Sequence, residues 1–317
     1  MKGTRVFLTG ANGFVGANTV YALLQEQADV HAFVRPNSDL VRLKEVLPEV
    51  TLHKGDLDSF EEVRNALRTA QPEVIFHLAA PAGHPTEPVK KIAMLVSALQ
   101  GTANLLYAAQ DIGCRRLIYS GSSTEYGKLD HAFIEDDLVD PITTRGVSKA
   151  GSTLLCRQFA QENQFPLTIL RLFSVFGPWE TPSRFIPKAI LAAQTGQTLP
   201  LTQPGLMHDF VFVQDVVDAL LKSVDASLEP GEIINIGGGR QWSNEEVVAH
   251  IEQISGKTIQ KLPGAFPTRR VDSTFWQADI SKAAACIGWK PVHTFIEGLQ
   301  ATHDWWLENL DFAGWNR

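Results

Sequence analysis

Cysteine is scarce: Cys114, Cys156 and Cys286 are the only three among 317 residues. An odd number in no metal-ligand spacing argues against a disulfide framework or a metal site, and fits a reducing compartment. Positive charge is short as well. Lys and Arg total 28 against 35 Asp and Glu, a net charge of −7, which excludes nucleic acid or an anionic membrane as the main partner. No run of about 18 apolar residues is present to span a bilayer, and no charged-then-apolar leader precedes Val6. The expectation is a soluble cytoplasmic protein. Internal repeats, low-complexity tracts and flexible linkers are also missing, so any second domain is interleaved with the first. What remains is an ordinary globular composition, 44% hydrophobic and 20% charged, long enough to bury a full core.

Short apolar runs alternate with helical patterns through the first half. Strands are expected at 5–9, 29–34, 50–54, 74–77, 116–120 and 167–172, with helices at 14–27, 59–69, 92–111 and 144–163. Such alternation implies parallel pairing through crossovers, hence an α/β, doubly wound sheet. Pro178, Pro182, Pro187, Pro200 and Pro204 punctuate the second half, where 210–213 and 232–236 read as further strands. Trp305, Trp306 and Trp315 near the C-terminal end read as packing rather than as a ligand stack.

Glycines at 10, 13 and 16 follow the first strand and open the first helix, in Thr9-Gly10-Ala11-Asn12-Gly13-Phe14-Val15-Gly16. Gly10 permits a tight turn, Gly13 lets backbone amides approach a pyrophosphate, and Gly16 allows helix–sheet contact. The helix N-terminus then presents its positive end to the phosphates. After the second strand, an NAD site would place an acid near Val34 for the ribose 2′-hydroxyl. Val34-Arg35-Pro36-Asn37-Ser38 offers Arg35 and no acid, which favours the 2′-phosphate of NADP, with NAD the alternative.

Together with Gly55-Asp56-Leu57, His77-Leu78-Ala79-Ala80 and Ser148-Lys149-Ala150, this turn resembles that of the extended short-chain dehydrogenase/reductase family. That family includes the NAD-dependent epimerases, dehydratases and reductases of nucleotide-activated sugars. Arg171-Leu172-Phe173-Ser174-Val175-Phe176-Gly177-Pro178, then His208-Asp209-Phe210 and Gly288-Trp289, follow its later landmarks in order. The resemblance implies a Rossmann-type NAD(P)-binding domain over 1–172, joined by 207–238, and a substrate domain from 173–206 and 239–317. It places Asp56 and Leu57 at the adenine and Leu78, Ala79 and Ala80 along the adenosine ribose. Asn12, Phe14 and Val15 join the glycines around the phosphates, and Lys149 binds the nicotinamide ribose. A homodimer is implied too, through the helices at 92–111 and 144–163.

The departures carry the functional argument. The resemblance implies a tyrosine four residues before Lys149, and Arg145 stands there. Ser122 takes the position of the hydroxyl that holds the reacting oxygen. Ser123 and Thr124 follow where a dehydratase carries acids, so dehydration lacks its acid, and strand alternation turns Glu125 away. Ala98 replaces an asparagine of the proton relay. Ser174 and His208 replace an asparagine and an arginine that contact the pyrophosphate, while Arg269 and Arg270 keep such a position. Two cations at i,i+4, Arg145 and Lys149, repel unless an anionic group relieves them.

Arginine is no general acid or base near neutral pH. Alcohol oxidation needs a base, whereas carbonyl reduction builds an alkoxide that fixed donors and a cation stabilise. Reduction therefore outranks epimerisation, whose first half is an oxidation. His84, on the loop implied to face substrate, is a substitute acid or base. Three classes stay open: a ketoreductase of nucleotide-linked sugars, a C4 epimerase with tightly held NAD, and a non-catalytic NAD(P)-binding protein.

Overall fold

The computed structural model describes residues 1–81, 83, 85–267, 269 and 272–313. Its centre is a seven-stranded sheet built from β1 (Arg5–Thr9), β2 (Asp29–Val34), β3 (Val50–Lys54), β4 (Val74–His77), β5 (Arg116–Ser122), β6 (Leu167–Leu172) and, after several intervening elements, Glu232–Ile236. The spatial order is Glu232–Ile236, β6, β5, β4, β1, β2, β3, and every pairing is parallel. The order reverses between β1 and β4, which opens a crevice at their C-terminal ends, where doubly wound sheets bind ligands.

Alternation within the strands sorts side chains to the two faces. Val6 and Leu8 of β1 face α1 (Phe14–Gln25) and α6 (Val213–Asp225), joining Val20, Leu23, Val216 and Leu220 in one core. Phe7 points the other way, among Ile75, Leu105, Leu117 and Phe159 beneath α2 (Phe60–Ala70), α3 (Pro88–Ile112) and α4 (Thr144–Asn163). Ser59 and Thr143 cap α2 and α4 through hydrogen bonds from the Glu62 and Gly146 amides, satisfying donors a helix leaves free.

The second half folds into smaller pieces than its prolines suggest. β7 (Ser174–Phe176) pairs parallel with β9 (Met207–Phe212), which pairs antiparallel with β11 (Gln241–Ser243). β8 (Leu199–Pro200) pairs with β12 (Lys261–Leu262), and Glu232–Ile236 is β10. α5 (Phe185–Thr195), α7 (Asn244–Ser255) and α9 (Phe295–Glu308) enclose a third core with Ile190, Val247, Ile251, Leu299 and Trp306. α8 (Ser281–Ile287) lies beside β10. Pro187 sits in the first turn of α5, where a missing amide costs no helical bond. Trp305 and Trp306 pack on each other and on Phe312, in agreement with the packing reading; Trp315 lies outside the described residues.

One expectation needs correction. Although no 18-residue stretch is uninterruptedly apolar, α3 is long and apolar enough by length and composition to cross a membrane. In the fold it packs between α2 and α4 and presents Val89, Ile92, Val96 and Leu99 to solvent.

Glu125 is turned away as expected, though by a different device from strand alternation. A 3₁₀ turn (Ser123–Glu125) follows β5 and curls this side chain beneath the strand end. Glu125 Oε1 accepts from the Ser122 amide at 2.7 Å and from Thr153 Oγ1 at 3.0 Å. Its Oε2 accepts from Arg171 Nε at 2.8 Å. Both charged side chains are at most 2% exposed, and the Arg171 guanidinium lies 4.5 Å over the Tyr126 ring. Breaking a buried pair from one side leaves an uncompensated charge. Glu125→Gln is therefore expected to cost about 3–5 kcal/mol in denaturant unfolding. The double variant Glu125→Gln, Arg171→Met should cost less than that single change; an additive double loss would show that the pair is not the unit of stability.

Candidate functional site

The glycine-rich turn is built for close backbone approach. Gly10 has φ +74°, and a Cβ there would lie 2.6 Å from the Ala79 nitrogen. A Cβ on Gly16 would meet the Gly10 carbonyl oxygen at 2.0 Å. Gly13 is the N-cap of α1, with no side-chain cap bond and no acid in the first turn. The leading amides of α1 are thus left to an anionic ligand, the arrangement a pyrophosphate requires. Asn12 donates to the Asp39 carbonyl, and Phe14 and Val15 begin the helix half-buried.

The adjoining strand ends are tied together by hydrogen bonds. Thr9 Oγ1 lies 2.7 Å from His77 Nδ1 and accepts from the Ala79 amide at 3.3 Å. Burial, with Lys149 adding repulsion, pushes His77 down to about 3, so the ring is a neutral strut. Leu78 and Ala79 are half-buried and Ala80 is exposed on the strip bordering the turn. Asp56 follows β3, its carboxylate accepting from the Asp58 amide at 3.0 Å. Leu57 beside it packs into the second core. Arg35 is exposed just beyond β2. Arg42, which the sequence reading did not single out, bridges the turn to the loop after β7: it donates to the Asn12 carbonyl at 3.3 Å and to the Trp179 carbonyl at 2.8 Å.

On the chemical side, Ser122 Oγ lies 2.9 Å from Thr124 Oγ1 at the end of β5. Ser123 is buried and its Oγ accepts from the Trp276 indole at 3.2 Å. Lys149 is buried on α4, donating to the Ser120 carbonyl at 2.5 Å and lying 4.8 Å over the Tyr119 ring. Burial, then the Arg145 charge, pushes its ammonium down to about 8. Arg145 sits one turn earlier on the same helix. Among the described residues its guanidinium makes one hydrogen bond, a long one of 3.5 Å to the Pro81 carbonyl, and no salt bridge. Burial and then the Arg184 charge lower its pKa.

Arg184, also missed in the sequence, links this region to the substrate side. It caps α5 and places Nε 3.7 Å from Glu180 Oε1. Glu180 is buried, its Oε2 has no hydrogen-bond partner, and burial raises its carboxyl to about 8. His208, on β9, is pushed down to about 4 by burial, with repulsion from Arg269 and Arg184 adding to the shift. Ser174 opens β7 half-buried. Arg269 is exposed and ion-paired with Asp272, Nη2 to Oδ1 at 2.9 Å. His84 and Arg270 lie outside the described residues. Chain spacing alone had no means of joining residues 145, 184 and 208, because a loop without periodicity brings Arg184 in.

Three comparisons agree with this geometry. The model of the NAD dependent epimerase/dehydratase family matches residues 6–237. The low-salt glycan biosynthesis protein Agl12 of Haloferax volcanii is 30% identical over 314 residues, covering 95% of this chain and 98% of that protein. The solved epimerase Mth375 of Methanothermobacter thermautotrophicus matches with a TM-score of 0.90 at 28% identity, over 99% of this chain and 95% of that one. The UDP-glucuronic acid 4-epimerase of Bacillus cereus, solved with UDP-glucuronic acid and NAD, gives 0.86 at 26%, over 97% and 99%. By sequence along most of its length and by the order of its sheet, the chain belongs to the NAD-dependent epimerase/dehydratase family.

Proposed function

We propose that this protein reduces a keto group on a nucleotide-activated sugar, using a nicotinamide cofactor. The observation that carries the reading is Arg145: a permanent cation, free of any carboxylate partner among the described residues, one helical turn before Lys149. The nicotinamide, when bound, supplies hydride. Ser122 donates a hydrogen bond to the carbonyl oxygen, and Arg145 stabilises the negative charge that grows there. Lys149, held by Ser120, orients the ribose, and water returns the proton. Residues 1–172 and 207–238 form the cofactor domain in this reading, and 173–206 with 239–317 form the substrate domain.

Arg145→Ala is expected to lower keto reduction by roughly 10²–10³, the usual loss for one oxyanion donor. Arg145→Tyr should restore a proton carrier beside Lys149 and make alcohol oxidation measurable. Steady-state assays in both directions check this; unchanged turnover in both variants would remove Arg145 from the chemistry. A second reading is C4 epimerisation with tightly held NAD, favoured by the likeness to the epimerase Mth375 and to the Bacillus cereus UDP-glucuronic acid 4-epimerase. Epimer interconversion by protein purified with its cofactor would establish it. Nucleotide binding with no turnover on any keto sugar would leave a non-catalytic binding protein.

Arg35, exposed beyond β2 with no side-chain partner among the described residues, supports NADP, whereas the Bacillus cereus neighbour was solved with NAD. Arg35→Ala should weaken NADPH by about 1–3 kcal/mol and NADH little, as a lost charge-assisted contact does. Equal losses in the two titrations return the preference to NAD.

Val89, Ile92, Val96 and Leu99 are exposed on α3, which packs against α4, where Val147 and Leu154 are exposed as well. This face suits an isologous contact that pairs α3 and α4 across a two-fold axis. A homodimer is expected by light scattering at micromolar concentration, and Leu154→Glu should convert it to monomer; a monomeric parent protein refutes the pairing.

A further inference from the structure

The loop between β7 and α5 adopts a conformation that its own sequence disfavours. Trp179 has φ +69°, in the left-handed region that a bulky residue rarely enters. Such a residue persists where its surroundings over-determine it, and here they do. The Trp179 ring stacks on Tyr21 of α1 with centroids 6.1 Å apart and meets the Trp305 ring of α9 at 4.8 Å. Asn18, also on α1, donates to the Pro178 carbonyl at 3.0 Å. Arg42 completes the clamp from a 3₁₀ turn after β2 (Val41–Leu43). Its Nε donates to the Trp179 carbonyl at 2.8 Å, its Nη2 to Thr181 Oγ1 at 3.4 Å and its Nη1 to the Asn12 carbonyl at 3.3 Å. The guanidinium also lies 5.2 Å over the Phe312 ring. One half-buried fork therefore holds the glycine-rich turn by one arm and the loop by the other two.

The two segments that Arg42 joins serve different ligands. Asn12 belongs to the turn that leaves the leading amides of α1 to a pyrophosphate. The loop continues directly from β7, which opens at Ser174 and pairs with β9, the strand of His208. Toward its far end the Thr181 carbonyl accepts from the Arg184 amide at 2.9 Å, where Arg184 caps α5. We propose that Arg42 is a positioning residue that couples the two sides of the cleft, so that cofactor and nucleotide sugar each tighten the binding of the other. The proposal rests on the nucleotide-sugar reading above and adds a link between its two ligands. When the turn is occupied, the Asn12 carbonyl is held in place. A planar guanidinium fixed at one acceptor is restricted at the other two as well, and the loop is ordered before the second ligand arrives. The coupling is reciprocal by thermodynamic necessity.

Calorimetric titration of the full chain tests this without turnover. Hexoses on uridine, thymidine and guanosine diphosphate are titrated with and without saturating NADPH or NADH, which a hexose lacking a keto group cannot oxidise. For the hexose that binds, cofactor should tighten binding by about 5- to 150-fold, the usual range of coupling between two sites. The hexose should tighten cofactor binding by the same factor. Where cofactor stays bound through purification, its release, slower with the hexose than without, reads the same link. Arg42→Met keeps an unbranched side chain, removes all three hydrogen bonds and should bring the factor close to one. Arg42→Lys, a point charge without the fork, should keep part of it. A merely structural loss would weaken both two-component complexes and leave the factor unchanged. Thermal unfolding shows whether each variant folds; if Arg42→Met does not, an undiminished factor in Arg42→Lys overturns the proposal. A factor of one in the parent protein, or one that survives Arg42→Met, overturns the coupling and leaves the nucleotide-sugar reading intact. Failure of every nucleotide sugar to bind, with cofactor or without, overturns both.

Discussion

The buried pair between Glu125 and Arg171 is the constraint on which the site depends. Arg171 comes from β6, and Glu125 from the turn beyond β5, so their bond fixes the C-terminal edge of two neighbouring strands. The same carboxylate takes the Ser122 amide and the Thr153 hydroxyl, which sets the start of the turn against α4. Ser122, Arg145 and Lys149 thus owe their shared frame to one carboxylate. Gly121 fits this arrangement, since a Cβ there would come within 2.9 Å of Glu125 Oε1. A buried ion pair is weak evidence for net stability. Its role here is geometric: the Ser122 amide, the Thr153 hydroxyl and the Arg171 guanidinium converge on Glu125, and a misplaced register would strand all three.

Around that frame the protein gathers cations and withholds their counter-charges. Like charges at i,i+4 cost about 0.2–0.5 kcal/mol on an exposed helix, and burial makes the conflict between Arg145 and Lys149 sharper. Lys149 is partly compensated by the Ser120 carbonyl and the face of Tyr119. Among the described residues the Arg145 guanidinium has only a long bond to the Pro81 carbonyl. Glu180 could neutralise Arg184, yet its burial favours the uncharged acid. Such local conflicts, held in place by three well-packed cores elsewhere, are where a folded chain stores binding energy for an anionic ligand.

The first half of the fold was legible because its strands are long and bounded by turns. β1, β2, β3, β4 and β6 match their expected limits, and β5 runs two residues further to include Ser122. The second half was harder for identifiable reasons. β7 and β11 have three residues each and β8 and β12 two, too short for alternation to register. The apolar run at 210–213 read as one strand, while the chain ends β9 at Phe212 and starts α6 at Val213. Glu125 is turned away as expected, but by the 3₁₀ turn that begins at Ser123 and not by the strand alternation that led to the expectation. Arg145 and Lys149 were singled out by the family resemblance, and helical spacing puts them one turn apart on one face. Glu180 and Arg184 were not, because they lie in a loop held from outside by Arg42 on Trp179 and Asn18 on Pro178, contacts without a local sequence signal.

An arginine at a reacting centre differs from a titratable group in what it can do with protons as well as in charge. A phenol or an imidazole accepts and returns a proton within one turnover, so it serves oxidation and reduction alike. A guanidinium gives up no proton at physiological pH and acts only by stabilising negative charge. The transition state for carbonyl reduction gains that charge on oxygen, while alcohol oxidation must first lose a proton to some base. In the proposed reading Arg145 therefore lowers one barrier without supplying what the other needs. The lack of a carboxylate partner for Arg145 among the described residues fits that reading, because a resident counter-ion would stabilise the arginine before the reaction and reduce its differential effect on the transition state. The electrostatic tension in α4 is thus consistent with a site arranged for charge that appears only when the ligand is bound and its carbonyl is reduced.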